Sequence, residues 1–387
     1  MRGSTLQIVR HEITSIHETR LGPRSTIRLN LNGYQATLVD MLALRWHAQG
    51  DVRLDEIPPP PPPGPGELQL RVLWCGICGT DVEEYRHGPL FVPVDQPNPA
   101  TGRQAPLVLG HEFSGEVIAL GPGASRFAEG QRVAVDTLIW CGRCFWCLRH
   151  QVSLCERLAA VGLMADGGLA EFCNVPETTC LPVSDNLSDE AAALAETLAV
   201  GVRALRRGRL TVGDRIAVVG GGPVGLMVLQ AALASGAASA TLIEPRADRR
   251  DIGAEVGASR VVCPEASPEI FADLVIECSG NANAVHTALT AARKGGRVVL
   301  VGLYSRPTTV PFLDIVTTEK ELLGSFSHVY DEDFASALAL LGRGTVQTEP
   351  IISDRVALHD ALEHGLLALE REPEAHLKIL VSARAGT

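Results

Sequence analysis

Between Arg215 and Val301, short apolar runs alternate with longer alanine-rich stretches. The short runs, Arg215–Val219, Ala240–Glu244, Leu274–Glu277 and Arg297–Val301, predict strands. Pro223–Ser235 and Ala282–Ala292 predict helices. Such alternation predicts a parallel sheet with crossover helices. From Glu67 to about Val183 the pattern is different: strand-like segments punctuated by Gly and Pro, with few helical periods. Pro58–Pro63, followed by Gly64-Pro65-Gly66, predicts a stiff connector into a strand at Glu67–Trp74 rather than a ligand for an aromatic groove. Residues 1–40 read as an added piece. There Thr26–Val39 alternates loosely and Asn32-Gly33 predicts a hairpin turn. An upstream start codon or an appended extension is the alternative, because Met41 opens a segment that could begin the chain by itself.

A length of 387 residues exceeds one ordinary hydrophobic core, so two domains and a small appendage are expected. Ile216–Ile243 carries no charge and is long enough to raise the question of a membrane span. Gly220-Gly221-Gly222-Pro223 breaks any helix there, and strand, turn and helix is the better parse. A net charge of −11 argues against nucleic acid or an anionic membrane as partner, since both require a basic face.

Ten cysteines would suit disulfides in a secreted chain, but the first twenty residues contain no apolar signal region. Cys141, Cys144, Cys147 and Cys155 instead read C-x2-C-x2-C-x7-C. Four thiolates from one loop satisfy tetrahedral zinc and leave no position for water, so the expected site is structural. This favours a reducing, cytoplasmic setting. Cys75, Cys173, Cys180, Cys263 and Cys278 are expected as small core residues, with Cys75 a candidate neighbour of a second site.

The run Val218 to Gly225 fits G-x-G-x-x-G between a strand and a helix. Gly220 would make the tight turn and Gly222 would let backbone approach a pyrophosphate. Gly225 would let helix pack on strand, with Pro223 and Val224 opening that helix. Glu244, about 20 residues on, is placed to grip a ribose 2′-hydroxyl, which favours NAD; nearby Arg246 could instead accept the 2′-phosphate of NADP. A second metal site is suggested by Cys75 to Asp81, by His111-Glu112 and by Glu196. Residue types alone leave that grouping open, because His111 reads equally well as a hydrogen-bonded core histidine.

GICGTD, GHEFSGEV, the four-cysteine lobe and VVGGGPVG, in that order, resemble the zinc-containing medium-chain dehydrogenase/reductase superfamily from about Met41 to Val381. The segment GPLFVPVDQPNPATGRQAPLVLGHEFSGEV is similar to that of the (R,R)-2,3-butanediol dehydrogenase group. The resemblance implies an α/β chain. A GroES-like catalytic domain would span 41–198 and 329–387, with the zinc lobe near 138–156, and a Rossmann NAD-binding domain would span 199–328. Cys78, His111, Glu112 and Glu196 become the catalytic-zinc residues and Thr80 the hydroxyl that bridges substrate to the proton relay. Asp81 would orient His111, and Lys378 would support cofactor or fold. Two positions depart from the pattern: Glu83 stands where relatives often carry a relay histidine, and Thr197 replaces the usual proline after Glu196. A carboxylate is a poorer proton carrier than imidazole near neutral pH unless its surroundings adjust it.

The implied activity is hydride transfer between NAD and a secondary alcohol, a small vicinal diol such as 2,3-butanediol, in a homodimer or homotetramer binding one catalytic and one structural zinc. A polyol or L-threonine-type dehydrogenase would share every motif. A catalytically silent NAD-binding protein is the reading from another class.

Overall fold

The computed structural model describes residues 40–266, 270–304 and 307–383; the hairpin expected in 1–40 lies outside them. Six parallel strands form one sheet in the spatial order Arg260–Val262, Ser239–Ile243, Arg215–Val219, Ala272–Glu277, Ala292–Leu300, Glu321–Gly324. The direction of winding reverses between Arg215–Val219 and Ala272–Glu277, which is where an open α/β sheet leaves a crevice at its strand ends.

The unbroken apolar runs have a direct cause. Ile216 and Val218 face one core cluster, and Ala217 and Val219 face another on the opposite side of the sheet. Both faces are covered, so polar alternation would bury unpaired groups. Helix Pro223–Ala234 has no polar stripe for the same reason. It is buried from Gly225 to Ala232 between the sheet and helix Ala195–Arg207. Its Gln230 is matched by the backbone of Gln347, donating to its carbonyl at 3.0 Å and accepting from its N–H at 2.7 Å. The uncharged stretch 216–243 is thus strand, helix and strand. Among the described residues no helix is long and apolar enough to cross a membrane.

The second body is a mostly antiparallel sheet. Its path runs Cys180–Pro182, Arg132–Val135, Glu112–Leu120, Glu67–Gly76, Ile379–Ser382, Asp354–Ala357, with Phe172–Pro176 also on Glu67–Gly76. The last two strands of the path come from the C-terminal part of the chain, which returns after the parallel sheet to close the first one. Pro58–Pro63 has no regular structure and connects strand Asp51–Ile57 to Glu67–Gly76, as its composition predicts. Strand Ala292–Leu300 begins five residues before the expected Arg297, because Ala292 pairs with Ala272 ahead of a register shift.

Candidate functional site

One strand register assembles the metal-ligand candidates. Gly76 pairs with Glu112 across antiparallel strands, so the chain two residues beyond Gly76 comes beside the residue just before Glu112. These are Cys78 and His111. A side chain at position 76 would overlap the Glu112 carboxylate, and glycine removes that clash. Gly110, at φ +95°, turns the chain into His111 where a Cβ would crowd Cys75 and Leu169. The result is a Cys78 sulfur, a His111 ring nitrogen and a Glu112 oxygen all within 4.8 Å of one another.

That donor set, one thiolate, one imidazole and one carboxylate, is what a catalytic zinc ion takes. The surrounding groups fit the ion too. Asp81 accepts from the Cys78 N–H at 2.8 Å at the start of helix Gly79–His87, and its other oxygen faces His111 Nδ1 at 3.5 Å. Neither Asp81 Oδ1 nor His111 Nδ1 has a hydrogen-bond partner although both are buried. A carboxylate behind a ligating imidazole fixes the ring with its other nitrogen toward the metal.

Lys378, read from the sequence as a support for cofactor or fold, is the buried counter-ion of Glu112, with Nζ 2.6 and 2.9 Å from the two carboxylate oxygens and 3.1 Å from the Ile77 carbonyl. The cause is again register: Leu380 pairs with Gly76, which sets Lys378 opposite Cys78. Burial works against the charge of both groups. Their mutual attraction outweighs it, holding the Lys378 ammonium above its ordinary pKa and the Glu112 carboxyl below.

Glu196 lies in the first turn of helix Ala195–Arg207, outside the three-residue group. Its Oε1 is 3.6 Å from His328 Nδ1, and His328 Nε2 is 3.0 Å from Asp136 Oδ1. All three are buried. Burial raises the Glu196 carboxyl; it opposes the His328 charge too, but Asp136 and Glu196 prevail and push His328 up to about 9. Neither Asp136 nor His328 stands in any motif read from the sequence, so no local signal could have found them. Thr197 is buried in the same first helical turn, its hydroxyl without a hydrogen-bond partner.

Thr80 Oγ1 lies 3.7 Å from Cys78 Sγ. Glu83 is on the same helix, half-exposed, with Oε2 3.9 Å from His87 Nε2. The next residue, Glu84, is buried and accepts from the backbone N–H groups of Leu90, Phe91 and Val92. It thereby anchors the inserted segment before GHEF to this helix.

In the lobe, the sulfurs of Cys141, Cys144, Cys147 and Cys155 lie within 4.8 Å of one another. Cys144 Sγ is 3.5 Å from Cys147 Sγ and 3.9 Å from Cys155 Sγ, close to the edge of a tetrahedron with ~2.3 Å zinc–sulfur bonds. Backbone N–H groups of Cys147 and Glu156 pull the Cys144 thiol down to about 6. Among the other cysteines, Cys75, Cys173 and Cys180 are buried as expected; Cys263 is half-buried, its thiol against Glu265 Oε2.

At the crevice, Gly220 adopts φ +103°, and a Cβ on Gly225 would overlap the Gly220 carbonyl, so helix and strand meet there at backbone distance. Gly222 precedes Pro223 and Val224 at the helix start, with open space where its side chain would be. Glu244 is buried, accepting from Gly221 N at 2.6 Å and Arg246 N at 2.9 Å. Arg246 is paired with Asp248 at 2.6 Å and with the Glu374 carbonyl. Across the switch point Glu277 is fully buried and accepts from the Ser279 hydroxyl and backbone N–H and from Gly280 N.

Residues 64–185 match the alcohol dehydrogenase GroES-like domain, and residues 223–343 match the zinc-binding dehydrogenase family. With the α/β architecture and the site above, the chain belongs to the zinc-containing medium-chain dehydrogenase/reductase superfamily, the family of alcohol and sorbitol dehydrogenases. Among relatives, it is 34% identical to an (R,R)-butanediol dehydrogenase of Bacillus subtilis (strain 168), covering 88% of this chain and 99% of that one. A solved structure of 2R,3R-butanediol dehydrogenase from Bacillus subtilis superposes with a TM-score of 0.81 at 33% identity, over 88% of this chain and 99% of that chain. A sorbitol dehydrogenase of the same strain is 31% identical over 84% of this chain and 94% of its own length. A zinc-binding dehydrogenase from Sinorhizobium meliloti 1021, solved bound to NADP, has a TM-score of 0.80 at 30% identity, covering 89% and 99% of the two chains.

Proposed function

We propose that this chain oxidises a small vicinal diol such as 2,3-butanediol with NAD and reduces the corresponding hydroxyketone in reverse. The observation that carries the reading is the Cys78–His111–Glu112 cluster, built in one chain with a glycine turn at a sheet switch point. Zinc held by Cys78 and His111, with Glu112 beside them, would supply Lewis acidity toward the alcohol oxygen. Four further cysteines would hold a structural zinc.

The chain's own residues do the rest. Thr80, beside Cys78, holds the hydroxyl proton of the substrate. Glu83 is three residues on along the same helix and His87 four further, on the side of the helix that leads the proton to solvent. Gly220, Gly222 and Gly225 bring backbone to the pyrophosphate, and Pro223 and Val224 present a helix N-terminus to its charge. NAD is favoured over NADP because Glu244 lies buried at the ribose end of the turn, while Arg246 is already paired with Asp248. Likeness to the butanediol dehydrogenases, including the segment that Glu84 anchors, supports the diol. Ten unpaired cysteines suit a reducing compartment such as the cytoplasm. Exposed Phe312, Leu313 and Val316, near the sheet-edge strand Glu321–Gly324, suit a dimer or tetramer.

The test is an NAD- and NADP-linked screen over vicinal diols, hexitols, L-threonine and simple secondary alcohols, with Cys78→Ser as control. The expected result is highest kcat/KM on a vicinal diol with NAD. A preference for hexitols or L-threonine would move the substrate to those classes, and full activity in Cys78→Ser would remove the metal from the reaction. Zinc-loaded protein that binds NADH but oxidises nothing would be a binding protein.

A further inference from the structure

The two glutamates of the site each face a buried basic side chain. For Glu112 the partner is Lys378, at 2.6 Å. For Glu196 it is His328, whose Nδ1 stands 3.6 Å from the carboxylate and 3.4 Å from the Ser327 hydroxyl. The two pairs do different things. Lys378 holds Glu112 within the Cys78–His111 group, whereas Glu196 stays outside that group, turned to His328.

His328 cannot easily swing. Its ring is fully buried and stacked on Phe334, with centroids 5.8 Å apart and planes at 24°. Behind it, Nε2 lies 3.0 Å from Asp136 Oδ1, an ion-pair contact without hydrogen-bond geometry; Asp136 Oδ1 accepts from Leu138 N at 2.8 Å, and Asp136 N donates to the Thr179 carbonyl at 2.7 Å. The segment that follows is pinned as well. Val329 N donates to Asp333 at 2.8 Å, and the Tyr330 hydroxyl donates to the Cys180 carbonyl at 2.6 Å. A rigid line therefore runs from the β-rich body through Asp136 and His328 to one candidate ligand.

We propose that His328, backed by Asp136, is a positioning residue that holds Glu196 out of the metal cluster and so keeps one coordination position for the substrate oxygen. The inference rests on the zinc reading above. A buried carboxylate released from its basic partner needs another cation. With Cys78, His111 and Glu112 adjacent, a metal ion there is the cation within reach.

The experiment uses the full-length protein with cobalt(II) exchanged into the Cys78 site, read by visible d–d absorption and by the rate of cobalt release to a chelator. In His328→Leu the bands should weaken toward those of a higher coordination number, and release should slow about tenfold, the scale on which groups behind the ligands act. His328→Gln, which keeps a donor toward Glu196, should restore the original spectrum. In a Glu196→Gln background, His328→Leu should change nothing further. A wild-type spectrum and release rate in His328→Leu, or an unchanged effect in the Glu196→Gln background, would overturn the proposal. Should His328→Leu not fold, His328→Asn, too short to span the two carboxylates, decides in the same way. Wild-type protein that takes up cobalt only in the four-cysteine lobe would instead refute the zinc reading itself.

Discussion

Lys378 and Glu112, 266 positions apart in sequence, meet as a buried ion pair with Nζ 2.6 Å from Oε2. Removing one member leaves the other charge buried without a partner, which costs about 3–5 kcal/mol. Lys378→Met should therefore lose about that much stability in urea unfolding. Lys378→Met combined with Glu112→Leu should recover most of it, because a buried pair replaced by apolar groups is often close to neutral. A single variant within about 1 kcal/mol of wild type would show that the pair contributes little.

Cys144 is central to the lobe, with two sulfur neighbours at 3.5 and 3.9 Å. Cys144→Ser should lower the zinc content by one ion per chain and open the 138–156 region to protease. Elemental analysis and timed digestion measure both. An unchanged zinc content would remove this group from the metal sites.

Glu244 accepts from the N–H of Gly221 and, on the proposed function, meets the ribose where NAD and NADP differ. Glu244→Ala would remove a charge-assisted hydrogen bond to the ribose hydroxyl of about 1.5–3 kcal/mol together with the repulsion of a 2′-phosphate, so the NAD-to-NADP ratio of kcat/KM should fall about tenfold or more. An unaltered ratio would place cofactor discrimination elsewhere.

Asp273 lies between Arg215, at 3.0 Å, and Arg293, at 2.5 Å, tying together the starts of two strands that flank it. The hydrogen bond from Arg215 leads, and Arg293 adds to it against burial, so the carboxyl is held well below its usual range. A depressed folded-state pKa contributes stability that is present above the unfolded value, about 3.9, and lost as pH falls below it. Asp273→Asn should thus lower Tm near pH 7, with the gap to wild type narrowing only below about pH 4 and closing as pH falls through the depressed folded-state value. A gap that stays constant or widens in acid would contradict the assignment.

How legible the site was depends on how local its chemistry is. The glycine turn could be read because its function is a backbone shape made by Gly220 and Gly225 within one strand–turn–helix unit. The four sulfurs could be read because one short loop supplies them all. Cys78 and His111 were reached only through resemblance to a family, since nothing in the chain near either residue announces the other. Lys378 stands out in HLKILV, but nothing near it in the chain points to Glu112. Asp136 and His328 carry no local signal, because a single buried aspartate or histidine leaves no periodic trace.

The sequence by itself determined the class of the two bodies, the parallel sheet with its glycine turn and the lobe that suits metal. Strand burial on both faces, tight turns and close cysteine spacing all act over a few neighbouring residues, so composition and period carry them. The tertiary structure alone decided which carboxylate joins Cys78 and His111, and what holds the other one away. Those outcomes follow from the register of Gly76 against Glu112 and Leu380, and from the packing of Asp136 and His328 behind Glu196. Contacts between residues tens to hundreds of positions apart exist only once the sheets have closed.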